Sequence, residues 1–271
     1  MTTSDATAAG SLILVERKGT TAIITLNRPA AMNALSVELV AALEQTVRDL
    51  RGAGAGSGVI RALIITGAGG KAFCAGADLK ERRAMSLADT RRFLNILGAA
   101  VDAVAAFPVP VIAAVNGAAF GGGFELALAC DIRLGADNAE LGLPEVRLGI
   151  IPGAGGTQRL ARVAGVAVAK ELIFTGRRID AATARGLGIV SSVHPAADLL
   201  SAAEAVAAEV AAGGPLAVAQ AKRAIDDGLS LSLGNALAVE RACYEAVLTS
   251  EDREEGLRAF VEKRRPVFQG K

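Results

Sequence analysis

Two glutamates, Glu125 and Glu145, stand in segments that are otherwise apolar and rich in glycine. An unpaired carboxylate is costly to bury, so each glutamate needs a partner, a bound water or a chemical role. Two such carboxylates suit general acid–base catalysis, in which one activates a water and the other gives or takes a proton. Structural roles are also open at this point. Glu125 could be an acid in the first turn of a helix, which the helix dipole favours, and Glu145 could be a surface acid in a loop after Pro144.

Other catalytic and metal-binding patterns fit the sequence poorly. Residues 67–72 follow a predicted strand and match the relaxed dinucleotide-binding fingerprint, but Gly76 stands where the helix of that motif should continue. A Ser-His-Asp triad would need the only histidine, His194, which lies between a predicted strand and a predicted helix, where a surface or capping role is ordinary. The three cysteines have no CxxC spacing and no HExxH motif occurs, so we predict no metal site and no disulfide framework.

Charge and hydropathy exclude further classes of protein. The 29 lysines and arginines nearly balance the 28 aspartates and glutamates, so the whole molecule has no field that would attract nucleic acid or an acidic membrane. Apolar stretches such as residues 103–115 fall well short of the roughly 20 residues that span a bilayer. Residues 1–10 lack the basic and apolar segments of a secretory signal, so we predict a disordered lead-in. With the odd number of cysteines, these features predict a cytoplasmic protein.

The elements that must position the two glutamates alternate along the chain. Strand-like runs at residues 12–17 and 21–26 predict a hairpin, and a helix begins after Ser36 with apolar residues at helical spacing: Leu39, Val40, Leu43, Val47 and Leu50. Further strands are predicted at residues 61–66, 109–115 and 131–134, and further helices at residues 87–107 and 122–130. From about Ala196 the pattern is only helical, with helices at residues 196–212, 215–227, 233–248 and 251–263. The pattern therefore predicts an α/β core in residues 11–195, which contains the active site, and a helical C-terminal region in residues 196–271.

Four segments match, in order and spacing, the motifs of a known family. They are residues 26–29 (LNRP), 72–80 (AFCAGADLK), 116–127 (NGAAFGGGFELA) and 143–159 (LPEVRLGIIPGAGGTQR). With them the sequence resembles the enoyl-CoA hydratase/isomerase (crotonase) superfamily over nearly its whole length. Within that superfamily, the nearest subgroup is the methylglutaconyl-CoA hydratase, or AU-rich-RNA-binding enoyl-CoA hydratase, type, to which residues 73–82, 129–133 and 242–244 are similar.

The resemblance implies a fold and an assembly. The fold is a spiral of repeated ββα units, and the helical C-terminal region makes the contacts of a homotrimer, usually within a dimer of trimers. The sequence itself adds a reason to expect assembly, because the last two predicted helices carry more apolar residues than a peripheral tail needs. These helices should be buried against the core or a neighbouring subunit, through Leu233, Leu237, Val239, Tyr244, Val247, Leu257 and Phe260.

The resemblance also assigns chemistry to named residues. It implies that the backbone N–H groups of Ala77 and Gly122 polarise the carbonyl of an acyl-CoA thioester, and small residues there let the thioester oxygen approach the main chain. It further implies that Glu125 and Glu145 hold a water between them. Glu145 then acts as the base for attack at the β-carbon, while Glu125 orients the water and protonates the α-carbon. How the two glutamates divide these roles is left open by the sequence.

Coenzyme A enters this scheme as part of the substrate, so no separate cofactor is expected. The resemblance implies CoA contacts at Ala75, Ala77, Leu79 and Lys80, with Phe260 and Lys263 as weaker candidates from the same or a neighbouring subunit. Lys80 could instead be a solvated lysine beside two other charged residues. The family often has a lysine after Asn-Arg-Pro, where this chain has Ala30, and that departure puts one phosphate contact in doubt.

The implied activity is the hydration of an enoyl-CoA thioester to a β-hydroxyacyl-CoA, a reaction of fatty-acid β-oxidation. The presence of both glutamates favours hydration, because relatives with other reactions commonly change one or both acids. Three alternatives stay open: a methylglutaconyl-CoA substrate, an enoyl-CoA isomerase activity and, in a different class, RNA binding. RNA binding calls for a dense basic helix, whereas here the bases are interleaved with Glu81 and Asp89: Lys80, Arg82, Arg83, Arg91 and Arg92.

Overall fold

Two sheets and the helices that connect their strands form the core of the protein. A computed structural model describes residues 11–52 and 60–271, and the predicted lead-in at residues 1–10 lies outside the described residues. The larger sheet contains, in spatial order, β1 (Ile13–Lys18), β2 (Thr21–Leu26), β3 (Ala62–Gly67), β5 (Val111–Val115), β7 (Ile132–Ala136) and β10 (Ser192–His194). Its first two strands are antiparallel and the others pair in parallel. The smaller sheet contains β4 (Ala72–Cys74), β6 (Ala118–Phe120), β8 (Glu140–Gly142) and β9 (Arg178–Asp180).

The chain passes repeatedly from one sheet to the other. The strands β3, β5 and β7 of the larger sheet are each followed along the chain by a strand of the smaller sheet and then by a helix. The helices of this part are α1 (Val37–Gly52), α2 (Leu79–Ala84), α3 (Leu87–Ala105), α4 (Gly122–Ala129), α5 (Gly156–Ala164), α6 (Val166–Thr175) and α7 (Ala181–Gly186). The predicted α/β class and the spiral of repeated ββα units are confirmed.

Local sequence explains why these elements form. All residues of β3 and β5 are buried, and the two strands read as continuous apolar runs, as parallel strands covered on both faces do. Helix α1 begins after Ser36, whose Oγ accepts a hydrogen bond from the N–H of Leu39 at 3.2 Å. The buried residues of α1 are the five that its spacing predicted: Leu39, Val40, Leu43, Val47 and Leu50.

The predicted elements agree with the observed ones to within about three residues at either end. The sequence interpretation missed the strands of the smaller sheet and the helices α2, α5, α6 and α7. Three-residue strands are too short to show a period, so no local signal identifies them. His194, predicted between a strand and a helix, is the last residue of β10, and its Nε2 lies 2.7 Å from the Oγ of Ser192.

The C-terminal region is helical, as predicted. It consists of α8 (Leu199–Ala211), α9 (Pro215–Gly228), α10 (Leu233–Leu248) and α11 (Glu251–Glu262). Helix α8 packs on the larger sheet, while α9 and α10 pack against each other. The core does not bury the largest side chains of the last two helices, since Leu233, Tyr244 and Phe260 are 75%, 62% and 84% exposed in the single chain; their predicted burial against a neighbouring subunit stays a prediction. Among the described residues, no single helix has the length and apolar composition to cross a membrane. The helices α8 and α9 reach that length and composition only when they are taken together, and they are bent by 104° relative to each other.

Candidate active site

Helix α4 carries Glu125 into the interior. Every residue of this helix is buried, and Glu125 is only 2% exposed. The helix can approach so closely because it begins with glycines: a Cβ built on Gly123 would lie 2.0 Å from the carbonyl oxygen of Cys74. Gly121, at the N-cap, has a φ of 51°, which glycine adopts without strain. Packing of α4 against β4 therefore requires glycine at position 123, and the backbone conformation favours glycine at position 121.

The carboxylate of Glu125 is held by a loop that is distant in sequence. Its Oε1 accepts hydrogen bonds from the N–H groups of Ala154 and Gly156, each at 2.7 Å. Glu125 does lie in the first turn of α4, where the helix dipole favours an acid. Its carboxylate also makes hydrogen bonds outside the helix, so the dipole alone does not explain its position. Burial raises the pKa of Glu125, against the opposing effects of the two N–H donors and of the Arg159 charge. Arg159 itself pairs with Asp102 at 2.7 Å.

Glu145 lies opposite, at the start of the 3-10 helix Glu145–Leu148. Its carboxylate reaches inward, because a Cβ built on Gly121 would lie 3.0 Å from Glu145 Oε1. The other oxygen, Oε2, is buried and has no hydrogen-bond partner among the described residues. Burial, together with the nearby charge of Glu125, raises the pKa of Glu145 to about 7. The surface-acid interpretation of Glu145 was therefore wrong.

The two carboxylates form an arrangement that can move protons near neutral pH. An orphaned buried acceptor is uncommon in folded proteins and marks a place where a water or a substrate group completes the hydrogen bonds. A carboxyl group with a pKa of about 7 can serve as either an acid or a base at neutral pH. The carboxylate of Glu125 is fixed by two N–H donors, so it can orient a molecule that lies between the two carboxyl groups.

Two backbone N–H groups converge next to this pair. Gly122 is the first residue of α4, so its N–H has no partner within the helix, and it gains from the helix dipole. Neither Gly122 nor Ala77 donates a backbone hydrogen bond among the described residues. The two nitrogens are close, since a Cβ built on Gly122 would lie 4.0 Å from the nitrogen of Ala77, and one built on Gly76 would lie 3.6 Å from the nitrogen of Gly122. Such a pair of free donors is suited to a developing oxyanion.

A segment near the N-terminus supports the loop that carries Ala77. The N–H of Ala75 donates to Met32, the N–H of Leu35 donates to Gly76, and the N–H of Asp78 donates to Leu35, at 2.8 to 3.0 Å. These bonds occupy the groups on either side of Ala77 and leave its own N–H free. An ion pair between Arg28 and Asp78, at 3.1 Å, also joins this segment to the loop.

Asn33 and Asn116 support the loop that leads to Ala77, a role that the sequence interpretation missed. Asn33 is fully buried with a φ of 54°; its Nδ2 donates to the carbonyls of Ala68 and Ala72 at 3.0 and 2.8 Å, and its Oδ1 accepts from the N–H of Arg28. The Nδ2 of Asn116 donates to the carbonyls of Gly67 and Gly69. Both amides brace the loop between β3 and β4, which leads to Ala77. The available signal was an amide residue inside a buried, apolar motif.

The predicted CoA contacts divide into two groups. The first group lies just before and at the start of α2: Ala75, Ala77, Leu79 and Lys80. Asp78 caps this helix by accepting a hydrogen bond from the N–H of Lys80 at 3.1 Å. Leu79 is 60% exposed, so a ligand can reach it from solvent. Phe260 and Lys263 lie at the end of α11, and no described hydrogen bond or ion pair joins them to the first group. Their contact with CoA stays a prediction. Among residues 11–52 and 60–271, no cluster of three or more His, Cys, Asp or Glu side chains could hold a metal ion.

Comparison with known proteins gives matches over almost the whole chain. Residues 16–271 match the model of the family enoyl-CoA hydratase/isomerase. YngF of Bacillus subtilis (strain 168), whose name refers to the same family, is 48% identical over 260 residues, which cover 96% of this chain and 98% of YngF. The human mitochondrial methylglutaconyl-CoA hydratase is 43% identical over 252 residues, with 92% and 73% covered. A crystal structure of enoyl-CoA hydratase from Bacillus anthracis superposes with a TM-score of 0.93 at 45% identity, over 96% of this chain and 100% of that chain. The predicted resemblance to the family is confirmed.

Proposed function

The chain belongs to the enoyl-CoA hydratase/isomerase family, and from this premise we propose that it hydrates enoyl-CoA thioesters. Water adds across the α,β double bond and gives a β-hydroxyacyl-CoA. The observation that carries the proposal is the pair of inward carboxylates, one held by two N–H donors and the other with a buried, unpartnered oxygen. This pair offers a site for one water molecule beside two groups that can exchange protons with it.

The backbone donors supply the electrostatic part of the proposed mechanism. The thioester oxygen accepts hydrogen bonds from the N–H groups of Ala77 and Gly122, which have no other partner among the described residues. As the β-carbon is attacked, negative charge develops on this oxygen in an enolate-like transition state. One such donor typically accelerates a reaction by about 10² to 10³-fold.

The two glutamates supply the proton transfers. Glu145 takes a proton from the water through its unpartnered oxygen, and the hydroxide adds to the β-carbon. In our assignment Glu125 starts protonated and gives this proton to the α-carbon, and its raised pKa favours that form. One proton is gained by the pair and one is lost, so the site returns to its starting protonation after a proton is exchanged between the two carboxyl groups or with solvent.

One observation favours isomerisation as the second candidate function. One oxygen of Glu125 is already occupied by two N–H donors, which leaves Glu145 as the acid with a free buried oxygen. A double-bond shift needs only one group that moves a proton between the α- and γ-carbons, with the same backbone donors. The family name covers both reactions.

Product analysis separates the two functions. The purified protein is incubated with an α,β-enoyl-CoA and, separately, with the β,γ-isomer of the same chain, and the products are identified by mass spectrometry. Hydration adds the mass of one water, whereas isomerisation leaves the mass unchanged. We expect the mass increase with the α,β-enoyl-CoA; only unshifted masses with interconversion of the two isomers would replace hydratase by isomerase. Including methylglutaconyl-CoA in the same panel tests the branched acidic substrate.

We also propose a homotrimer or a dimer of trimers, located in the cytoplasm, with a place in fatty-acid β-oxidation. The support for assembly is the apolar surface that α10 and α11 leave exposed in one chain. RNA binding has less support: Arg92 pairs with Asp89, Arg82 lies over the ring of Phe93, and the whole chain has a net charge of only +1. Any RNA affinity should therefore be weak and fall steeply as salt rises.

A further inference from the structure

Helix α3 runs past the reacting groups of the proposed site. Its residues 94, 97, 98 and 101 are spaced so that they share one face of the helix. Leu97 is buried beside a backbone donor, since a Cβ built on Gly122 would lie 3.6 Å from its Cδ2. One turn earlier, Leu94 lies beside the loop that holds Glu125, since a Cβ built on Gly153 would lie 2.9 Å from its Cδ2. This face therefore borders both the oxyanion position and the carboxylate.

The same face has a gap beyond these leucines. Gly98 has no side chain, and a Cβ built there would meet no atom within 4 Å. Gly98 also lines a groove of about 1430 Å³ together with Gly153, Ala154 and Gly155, and the groove continues between α5 and α9. Glycine in the interior of a helix costs stability relative to alanine, so nothing in the helix itself favours it at this position. The groove beside Gly98 is thus also bordered by the loop that holds Glu125.

The position of the reacting carbons limits where the rest of an acyl chain can go. The thioester oxygen lies at the N–H groups of Ala77 and Gly122, and the α- and β-carbons lie between the two glutamates in the proposed mechanism. The chain beyond the β-carbon then meets the loop beside Glu125 and the side chain of Leu94. On the premise of the proposed hydratase function, we propose that Leu94 and Gly98 determine which acyl chain lengths the protein accepts. The substrates then include medium-chain enoyl-CoA thioesters, whose tail passes Leu94 into the space beside Gly98.

This assignment makes opposite predictions for two substitutions. Gly98→Leu fills the open space, so kcat/KM for octenoyl-CoA should fall at least about tenfold relative to crotonyl-CoA, the range for apolar groups gained or lost in a hydrophobic pocket. Leu94→Ala widens the passage, so the ratio of kcat/KM for octenoyl-CoA to that for crotonyl-CoA should rise. Crotonyl-CoA ends before the passage, so the ratio of kcat/KM for the two substrates within each variant separates chain length from any general change in activity. Ala99→Leu, which adds the same side chain at the neighbouring exposed position of α3, is the matched control.

Binding of saturated thioesters tests the assignment independently of the reaction type. Calorimetry with butyryl-CoA and octanoyl-CoA should show weaker octanoyl-CoA binding for Gly98→Leu and unchanged butyryl-CoA binding. If wild-type protein does not hydrate crotonyl-CoA but the variants still change the length dependence of binding, the hydratase function fails and the chain-length assignment stands. If the ratio for the two chain lengths is the same in Gly98→Leu, Leu94→Ala, Ala99→Leu and wild type, in kinetics and in binding, the assignment is overturned.

Discussion

The two glutamates of the site differ in how their carboxylates are held. Glu125 accepts two backbone hydrogen bonds on one oxygen, and the N–H donors partly offset the cost of its burial. Glu145 has a buried oxygen without a partner and a pKa raised to about 7. The sequence identified both residues but left their roles undivided. The environments favour Glu145 as the group that takes the proton from water, because its pKa lies close to neutral pH.

Removing either carboxylate tests the pair directly. We expect Glu145→Gln and Glu125→Gln each to lower the hydration kcat by about 10² to 10⁴-fold, the contribution of a positioned acid or base. The affinity for saturated acyl-CoA should change little, since neither glutamate is assigned a CoA contact. Steady-state kinetics and calorimetry measure the two quantities. Turnover close to wild type in either purified variant would exclude the two-carboxylate mechanism.

The raised pKa of Glu145 also predicts how activity and stability depend on pH. As a base Glu145 must be ionised, so kcat/KM should rise with pH to about 7; it should fall again at higher pH, where Glu125 loses the proton that it donates. The folded-state pKa is above the ordinary value of 4.5, so the folded chain binds this proton more tightly and loses stability as pH rises between the two values. Glu145→Gln resembles the protonated form, so it should melt at a higher temperature than wild type at about pH 8 and at the same temperature at about pH 4. If Glu145→Gln and wild type melted at the same temperature at pH 8 as well as at pH 4, the raised pKa of Glu145 would be contradicted.

A backbone donor can be removed at Gly122 without breaking the helix. Proline is tolerated at the first position of a helix and has no N–H, so Gly122→Pro removes this donor. We expect hydration to fall by about 10² to 10³-fold. The control is Gly122→Ala, which adds a Cβ beside Leu35 but keeps the N–H. A folded Gly122→Pro protein that is as active as Gly122→Ala would place the donor elsewhere.

At the level of elements, the helices and strands with periodic apolar residues could be predicted from the sequence, whereas the elements that depend on contacts with distant residues could not. The buried face of α1 and the hairpin of β1 and β2 follow from local patterns. The strands of the smaller sheet do not, because each is about three residues long and is stabilised by pairing with a distant strand. The glutamates and the backbone donors were placed by family motifs. The hydrogen bonds of Asn33 could not be predicted, since its partners lie 35 and 39 residues away.

Asn33 allows a test of the brace behind the oxyanion loop. Asn33→Ala leaves the carbonyls of Ala68 and Ala72 without this donor in a buried place, so the free energy of unfolding should fall by roughly 1–3 kcal/mol. The loop to Ala77 should also lose its position, and kcat should fall more than affinity for acyl-CoA. Urea unfolding and steady-state kinetics measure both effects. Asn138→Ala is the control, because Asn138 is exposed and donates to Gly70 only at 3.4 Å; equal effects of the two substitutions would remove Asn33 from the brace.

At the scale of the whole molecule, one chain leaves an apolar surface that its own core does not cover. Large side chains of α10 and α11 stand in solvent: Leu233, Tyr244, Leu257, Phe260 and Val261. Exposed apolar surface of this extent commonly marks a protein interface. The near balance of charges gives no long-range repulsion between copies. These two properties favour association of identical chains through the C-terminal region.

We therefore expect light scattering of the wild-type protein to give the mass of a trimer or a hexamer. Tyr244→Glu combined with Phe260→Glu places charges on the apolar surface, so the mass should shift towards that of one chain, because burying these carboxylates at an interface is costly. Circular dichroism should stay that of a folded protein, since both side chains are more than half exposed in the single chain. Ala205→Glu, at an exposed position of α8, adds the same charge elsewhere and should leave the mass unchanged. A wild-type protein that is active and stays a monomer at micromolar concentration would refute the predicted assembly.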